Sequence, residues 1–339
     1  MKKQINKKNI FIILIMLSNT LNSQKFEWAR STGNFANDFG KSIVSDNNGN
    51  VYITGYFDGT VDFDPGPGVY NLSSGGVYAT ANVFVQKLDS VGNFLWARSF
   101  GGSGFEKSFS IAIDDIGNIY TTGQFEGVVD FDPGVLTHNR SSNGSTDVFV
   151  HKMDSNGNFI WVKTFGGSSV EIGQAISVDA LGNIYTTGMF YSSTVDFDPN
   201  VGVSNLTPNG SYDVFIQKLD SAGSFLWAKS FGGNGQDIAY SLALDNSGNI
   251  YTSGYFQGTV DFDPGTSLSY NTSKGSSDVF IQKMDFNGNY LWSRTFGGTS
   301  DDYSYSINVS SSGNIFSTGT FKSTVDFDPG QGTVNLTSK

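Results

Sequence analysis

Apolar and polar residues alternate in short runs along the whole chain, and the runs come in pairs. In "YSLALD" (240–245), "IYTSGYF" (250–256), "DVFIQKMD" (278–285) and "YLWSRTF" (290–296), β-branched and aromatic residues dominate spans of six to eight positions. Runs of that length and composition predict strands. The first pair is joined by "NSGN" and the second by "FNGN", so the pattern reads as two hairpins. Both turns share the text Asp-x-x-Gly-Asn. The aspartate is placed to accept hydrogen bonds from the backbone ahead of it, and glycine and asparagine tolerate the positive φ that a tight turn requires.

This four-strand pattern recurs. The five tryptophans, Trp28, Trp96, Trp161, Trp227 and Trp292, fall 68, 65, 66 and 65 residues apart. Four sit in "FLWARSFGG", "FIWVKTFGG", "FLWAKSFGG" and "YLWSRTFGG", and the first in the divergent "FEWARSTG". A second motif keeps step: "TVDFDPG" ending at Gly66, "VVDFDPG" at Gly134, "TVDFDPN" at Asn200, and "TVDFDPG" at Gly265 and Gly330. A unit of four antiparallel strands repeated at this period predicts an all-β fold, a β-propeller of four-stranded blades stacked through their aromatic faces. The units run approximately over 34–102, 103–167, 168–233, 234–298 and, in part, 299–339, which makes about five blades within residues 24–339. Residues 26–31 match only a last strand and residues 303–339 only a first half. Either the N-terminal strand closes the ring with the final unit, or the chain is a piece of a longer array.

Within a blade the tryptophans are expected in the core, where burying an aromatic contributes about 1.5–3 kcal/mol. Gly55, Gly123, Gly188, Gly254 and Gly319 fall inside a strand run, which marks a bulge or a close approach of backbone. In "TVDFDPG" the alternation puts Val61 and Phe63 on one face and Asp62 and Asp64 on the other. Asp64-Pro65-Gly66 then fits a type II turn with glycine at the position of positive φ, a place asparagine also tolerates at residue 200.

The segments "SIAIDDIGNIYTTGQFEGVVDFDPG" and "DVFVQKLDSVGNFLWARSFGG" resemble the SBBP β-propeller repeat, a repeat common in exported proteins of Bacteroidota. The resemblance covers essentially everything after the first 23 residues. It implies the propeller fold and an exported protein, and it assigns no activity. The aspartate-to-glycine spacing separates the repeat from the tryptophan motif of quinoprotein dehydrogenases and from the Asp-box of sialidases.

Residues 1–23 place four lysines ahead of the apolar run Ile10–Leu17 and then small and polar residues, the pattern of a signal peptide. The run is too short for a membrane helix, and no later stretch is long and apolar enough. The expectation is therefore an exported protein, secreted or at the cell surface, with no transmembrane segment. No cysteine is present, which excludes disulfides, thiolate metal sites and thiol nucleophiles. Net charge is −11, and −15 without the leader's lysines, which argues against a nucleic-acid partner.

Carboxylates are the candidate chemistry. Each unit carries two in its VDFDP motif: Asp62 and Asp64, Asp130 and Asp132, Asp196 and Asp198, Asp261 and Asp263, Asp326 and Asp328. A further acid stands at a fixed place in the links between units: Asp38, Glu106, Glu171, Asp237 and Asp302. Propeller topology puts all three on one face, beside the polar segments that follow VDFDP, such as "GVLTHNRSSNGSTD", and loops of that length commonly display function. Calcium wants six to eight oxygens, which this set could supply with turn carbonyls. The alternative is that the acids accept hydrogen bonds from loop amides. Two charges ~7 Å apart in water repel by only about 0.6 kcal/mol, so exposed aspartates are tolerated without a metal. The two histidines, His138 and His151, are not repeated; His138 reads as a solvated loop residue and His151 as a surface-facing strand residue. With no single acidic pair set apart by the repetition, catalytic residues and organic cofactors are not expected. The functional expectation is a non-enzymatic binding or structural module for an extracellular protein or glycan, with a carbohydrate-active enzyme and an inert spacer in a larger surface protein as alternatives.

Overall fold

A computed structural model describes residues 26–75, 80–191 and 193–339. The leader, residues 1–23, lies outside the described residues. Every regular element among them is a β-strand, as the alternation predicts, and no helix long and apolar enough to cross a membrane occurs there. The chain forms two compact units: the described residues to 121 with 125–141 and 152–160, and residues 122–124 with 142–151 and 161–339.

In the first unit Phe39–Ser45, Val51–Asp58, Ala81–Leu88 and Phe94–Gly102 pair in that order, all antiparallel. The second unit contains the same sheet twice. One copy is Glu171–Val178, Ile184–Phe190, Asp213–Leu219 and Phe225–Gly233; the other is Ile238–Leu244, Ile250–Phe256, Asp278–Met284 and Tyr290–Phe296. Tyr303–Val309 pairs with Ile315–Thr320 as a two-stranded sheet.

The two central strands of each sheet are buried on both faces, so their polar residues need internal partners. Thr54 and Thr187 donate their hydroxyls to the Phe84 and Phe215 carbonyls at 2.9 and 2.7 Å. His151 belongs to this layer. It is fully buried in Asp147–Met153, not on the surface, because the third strand is interior to its sheet. The strand glycines serve a close approach: a Cβ on Gly55, Gly188, Gly254 or Gly319 would collide with the carbonyl of Phe39, Ile172, Ile238 or Tyr303. The register of the facing first strand shifts at that point in each case.

Phenylalanines, not tryptophans, fill the cores. Phe57, Phe63 and Phe84 form a triangle with ring centroids 4.9–6.3 Å apart. Phe256, Phe262 and Phe280 repeat it, as do Phe190, Phe197 and Phe215. The middle ring of each comes from a VDFDP motif. Trp96, Trp161, Trp227 and Trp292 are only half-buried, because the fourth strand is the outermost of its sheet. Their indoles reach forward instead: Trp28 lies against Gly92, Trp96 against Gly157, Trp161 against Gly223 and Trp227 against Gly288. Each of those glycines sits at positive φ in the next repeat's Asp-x-x-Gly turn, leaving room for the ring.

Candidate functional site: the acidic residues of the repeat

The segment after each VDFDP motif is not an open loop. It returns as a short strand, so that Thr60–Asp62 pairs with Asn71–Ser73 and Thr259–Asp261 with Tyr270–Thr272. Asp62 closes this hairpin, its Oδ1 accepting the amides of Asp64 at 3.0 Å and Tyr70 at 2.8 Å. Asp130, Asp196, Asp261 and Asp326 accept from the corresponding two amides. The second aspartate holds the turn itself: Asp64 Oδ1 accepts the Gly66 amide at 2.7 Å, and Asp132, Asp263 and Asp328 do the same for their glycines. Gly66 and its counterparts do not adopt positive φ, so this is not a type II turn. An aspartate side chain, which accepts from the amide two residues on, replaces the backbone hydrogen bond. Asn200 fits for that reason, giving its amide to Asp198 at 2.9 Å.

The linker acids are held elsewhere. Asp38 accepts from the amides of Asn34 at 2.6 Å and Asp58 at 3.4 Å. Asp237 accepts from Gly233 at 2.7 Å and Gln257 at 3.0 Å, and Asp302 from Gly298 at 2.7 Å and Lys322 at 3.0 Å. Glu106 and Glu171 accept from Gly102 and Gly167 at 2.8 and 2.7 Å. Each bond ties the link between repeats to the carboxylate, and where a second amide is bound it belongs to the end of the second strand. The structure thus brings Asp62 and Asp64 into one turn and places Asp38 in another. Among the described residues no three His, Cys, Asp or Glu side chains converge to hold a metal ion.

The linker acids Glu106, Glu171, Asp237 and Asp302 are fully buried, and three of them face a second buried acid that sequence reasoning missed. Asp147, Asp213 and Asp278 open the third strand, and parallel bridges one residue earlier, Thr146 to Val170, Tyr212 to Gln236 and Ser277 to Asp301, set them beside Glu171, Asp237 and Asp302. The equivalent bridge in the first unit, Ala81 to Phe105, sets Asn82 beside Glu106. Burial pushes Asp213 up to about 6 and Asp147 up to about 6, with the Glu171 charge adding to the latter. Burial, with the Asp213 charge adding, takes Asp237 to about 7, and burial takes Glu106 to about 7. Two carboxylates cannot both stay ionised in a dry site, so each pair retains a proton. The signal in the sequence was an acid heading a strand otherwise read as buried, in a chain with few charges. The first glycine of each "FGG" packs on this side chain, since a Cβ on Gly166, Gly232 or Gly297 would collide with Asp147, Asp213 or Asp278.

At the other end of the sheets, Asp-x-x-Gly-Asn turns flank two surface clefts. One, of about 500 Å³, is lined by Asp46, Asn50, Tyr52, Lys87 and Asp114; the other, of about 620 Å³, by Asp179, Asn183, Lys218, Asp245 and Phe286. The turns form as the pattern predicts. Asp46 Oδ1 accepts the amides of Asn48 and Asn50, both at 2.9 Å, and Gly49 stands at φ +79°. Only the glycine uses positive φ; the asparagine instead returns its side-chain amide to Asp46 at 2.7 Å. In both clefts the lysine ammonium lies over a tyrosine ring, Lys87 on Tyr52 and Lys218 on Tyr185, each at 4.8 Å. His138 rests on Phe159 with ring centroids 4.5 Å apart and is not grouped with a carboxylate pair.

Comparison with known proteins agrees with the repeat. Residues 27–60 and 226–255 match the SBBP beta-propeller repeat. The chain is 25% identical over 323 residues to an uncharacterized WD repeat-containing protein of Acanthamoeba polyphaga mimivirus, covering 80% of this chain and 23% of the viral one. It is 24% identical over 211 residues to the regulatory protein FlaEY of Caulobacter vibrioides, covering 61% of this chain and 21% of that protein. The chain thus spans less than a quarter of the length of either curated relative. A crystal structure of a protein of unknown function from Bacteroides caccae aligns over 62% of this chain and 89% of its own, at 10% identity and a TM-score of 0.21. The family match, the all-β sheets and the period of the text support one description, a chain built from β-propeller repeats.

Proposed function

We propose that this chain is a non-catalytic binding or structural module, exported by its N-terminal leader and working at the cell surface or beyond it, with an extracellular glycan or protein as its partner. The observation that carries this reading is the use made of the repeated acids: the same carboxylates in successive repeats accept backbone amides of their own turns and links. The acids that burial raises toward neutrality, Glu106 and Asp237, are fully enclosed, and a general acid must reach its substrate. The clefts of Lys87 and Lys218 offer exposed turns rich in hydrogen-bonding groups, the kind of surface that takes hydroxyl-rich or peptide ligands. The test is a glycan array and a panel of extracellular proteins probed with the purified chain, with oligosaccharide turnover measured alongside. Binding without turnover is the expected result. Hydrolysis abolished by one Asp→Asn change overturns the reading, and retention of the uncleaved protein inside the cell overturns its exported part.

A further inference from the structure

The second strand is interior in the complete sheets and exposed in the last repeat. Tyr251 and Ser253 are 3% and 0% exposed under the third strand Asp278–Met284, whereas the equivalent Phe316 is 60% exposed and Ser317 to Thr320 are all exposed. Among the described residues nothing pairs with the outer edge of Ile315–Thr320. Beside that edge lies a cleft of about 290 Å³ lined by Phe296, Phe321, Val325, Phe327 and Leu336.

The preceding repeat shows what this cleft is shaped to hold. Phe256 meets Phe262 edge-on at 5.2 Å, and Phe231 lies 5.4 Å from Phe262. Phe321 meets Phe327 edge-on at 5.1 Å, and Phe296 lies 5.6 Å from Phe327. In the complete sheet a further ring, Phe280 of the third strand, closes the group at 5.6 Å from Phe262 and 5.4 Å from Phe231. That strand runs antiparallel with Phe280 opposite Gly254, Ile281 opposite Ser253 and Gln282 opposite Thr252. Its glutamine donates to the Phe262 carbonyl at 2.6 Å, as Gln86 and Gln217 do to Phe63 and Phe197.

We infer that the edge of Ile315–Thr320 is an acceptor for one antiparallel strand of a separate polypeptide carrying Val-Phe-Ile-Gln or a close equivalent. Its phenylalanine stands opposite Gly319 and fills the cleft against Phe327, and its glutamine, opposite Ser317, caps the Phe327 carbonyl. Backbone pairing along the edge supplies affinity, and the aromatic cleft supplies selectivity. The four copies of this text in the chain, beginning at Val83, Val148, Val214 and Val279, are already buried, so none of them is free to serve.

The test is fluorescence anisotropy with a labelled 20-residue peptide of the sequence of residues 277–296, titrated with the full chain. Saturable one-to-one binding is expected, together with slowed hydrogen exchange at the amides of residues 315–320. Phe280→Ala in the peptide should weaken binding at least about 10-fold, the loss set by one buried aromatic, and Gln282→Ala by about 3–10-fold. Equal affinity for the parent and Phe280→Ala peptides overturns the inference. So does the absence of binding at about 1 mM peptide, a range that would still register a millimolar Kd, while circular dichroism shows the chain folded. A dimer of the chain, seen by sedimentation and undisturbed by the peptide, would assign the edge to a second copy and overturn it as well.

Discussion

Asp213→Asn should stabilise this protein above neutral pH and lose that advantage in mild acid. Asp213 is fully buried beside Asp237, its Oδ2 accepting the Asn209 amide at 3.0 Å and its Oδ1 without a partner. A carboxyl that titrates near 3.8 when exposed and at about 6 in the fold costs about 3 kcal/mol once ionised. Asparagine removes that cost and keeps an oxygen for Asn209, as Asn82 stands at the same place in the first repeat. Weakening a charge-assisted hydrogen bond returns about 1–2 kcal/mol, which leaves a gain of about 1–2 kcal/mol at pH 8, or about 2–4 °C in melting midpoint. The sign with pH follows from proton uptake. The folded state binds more protons than the unfolded chain between about 3.8 and about 7, so the parent's stability falls as pH rises through that window and levels above it. In the variant the fall should be shallower, because Asp237 also loses the charge that helps raise it. Melting midpoints at pH 5, 6, 7 and 8 decide the matter. A variant less stable than the parent by the same amount at every pH, or a parent whose stability rises from pH 5 to 8, would refute the shared-proton account.

Asp245→Ala removes the acceptor for the amides of Ser247 and Asn249, both at 2.9–3.0 Å, and for the Tyr251 hydroxyl, and should cost about 1–2 kcal/mol in urea unfolding. Burial alone would raise this carboxyl, but the Asn249 side chain and the turn amides hold it below its ordinary value, so its contribution persists above about pH 4 and is lost in stronger acid, opposite in sign to Asp213. Gly254→Ala drives a methyl into the Ile238 carbonyl and should cost more than about 3 kcal/mol, whereas Gly258→Ala, at φ +70° with open space around it, should cost about 1 kcal/mol. Chelation with EDTA should leave the melting midpoint unchanged, because the VDFDP aspartates accept amides of their own turns; a midpoint that falls on chelation and recovers with calcium would show that they hold the ion instead.

The sequence carried the strands, the repeat and the Asp-x-x-Gly-Asn turns because each depends on neighbours within a few residues. Alternation located Phe63, and the Asp46 turn was legible from its own text. What escaped depends on partners far along the chain. Trp96 has the composition of a core residue, yet the fourth strand lies at the margin of its sheet and sends the indole to Gly157. His151 looked polar and therefore exposed, while the third strand's central place buries it. Asp213 and Asp237 stand 24 residues apart and meet only through the parallel bridge of Tyr212 and Gln236. The acids of VDFDP were found, but their partners, the amides of Asp64 and Tyr70, carry no side-chain signature.

The contact from each tryptophan to the following turn glycine also bears on how such a chain changes length over generations. Trp28 on Gly92, Trp96 on Gly157, Trp161 on Gly223 and Trp227 on Gly288 are one junction used repeatedly. A DNA duplication or deletion that begins and ends at the same point of two repeats therefore restores the junction on both sides, and the new neighbours meet surfaces they already fit. Copy number is free to drift by whole repeats, while a slip of even one residue inside a repeat is penalised at once. Selection on reach can then act through recombination, without a point mutation at any contact.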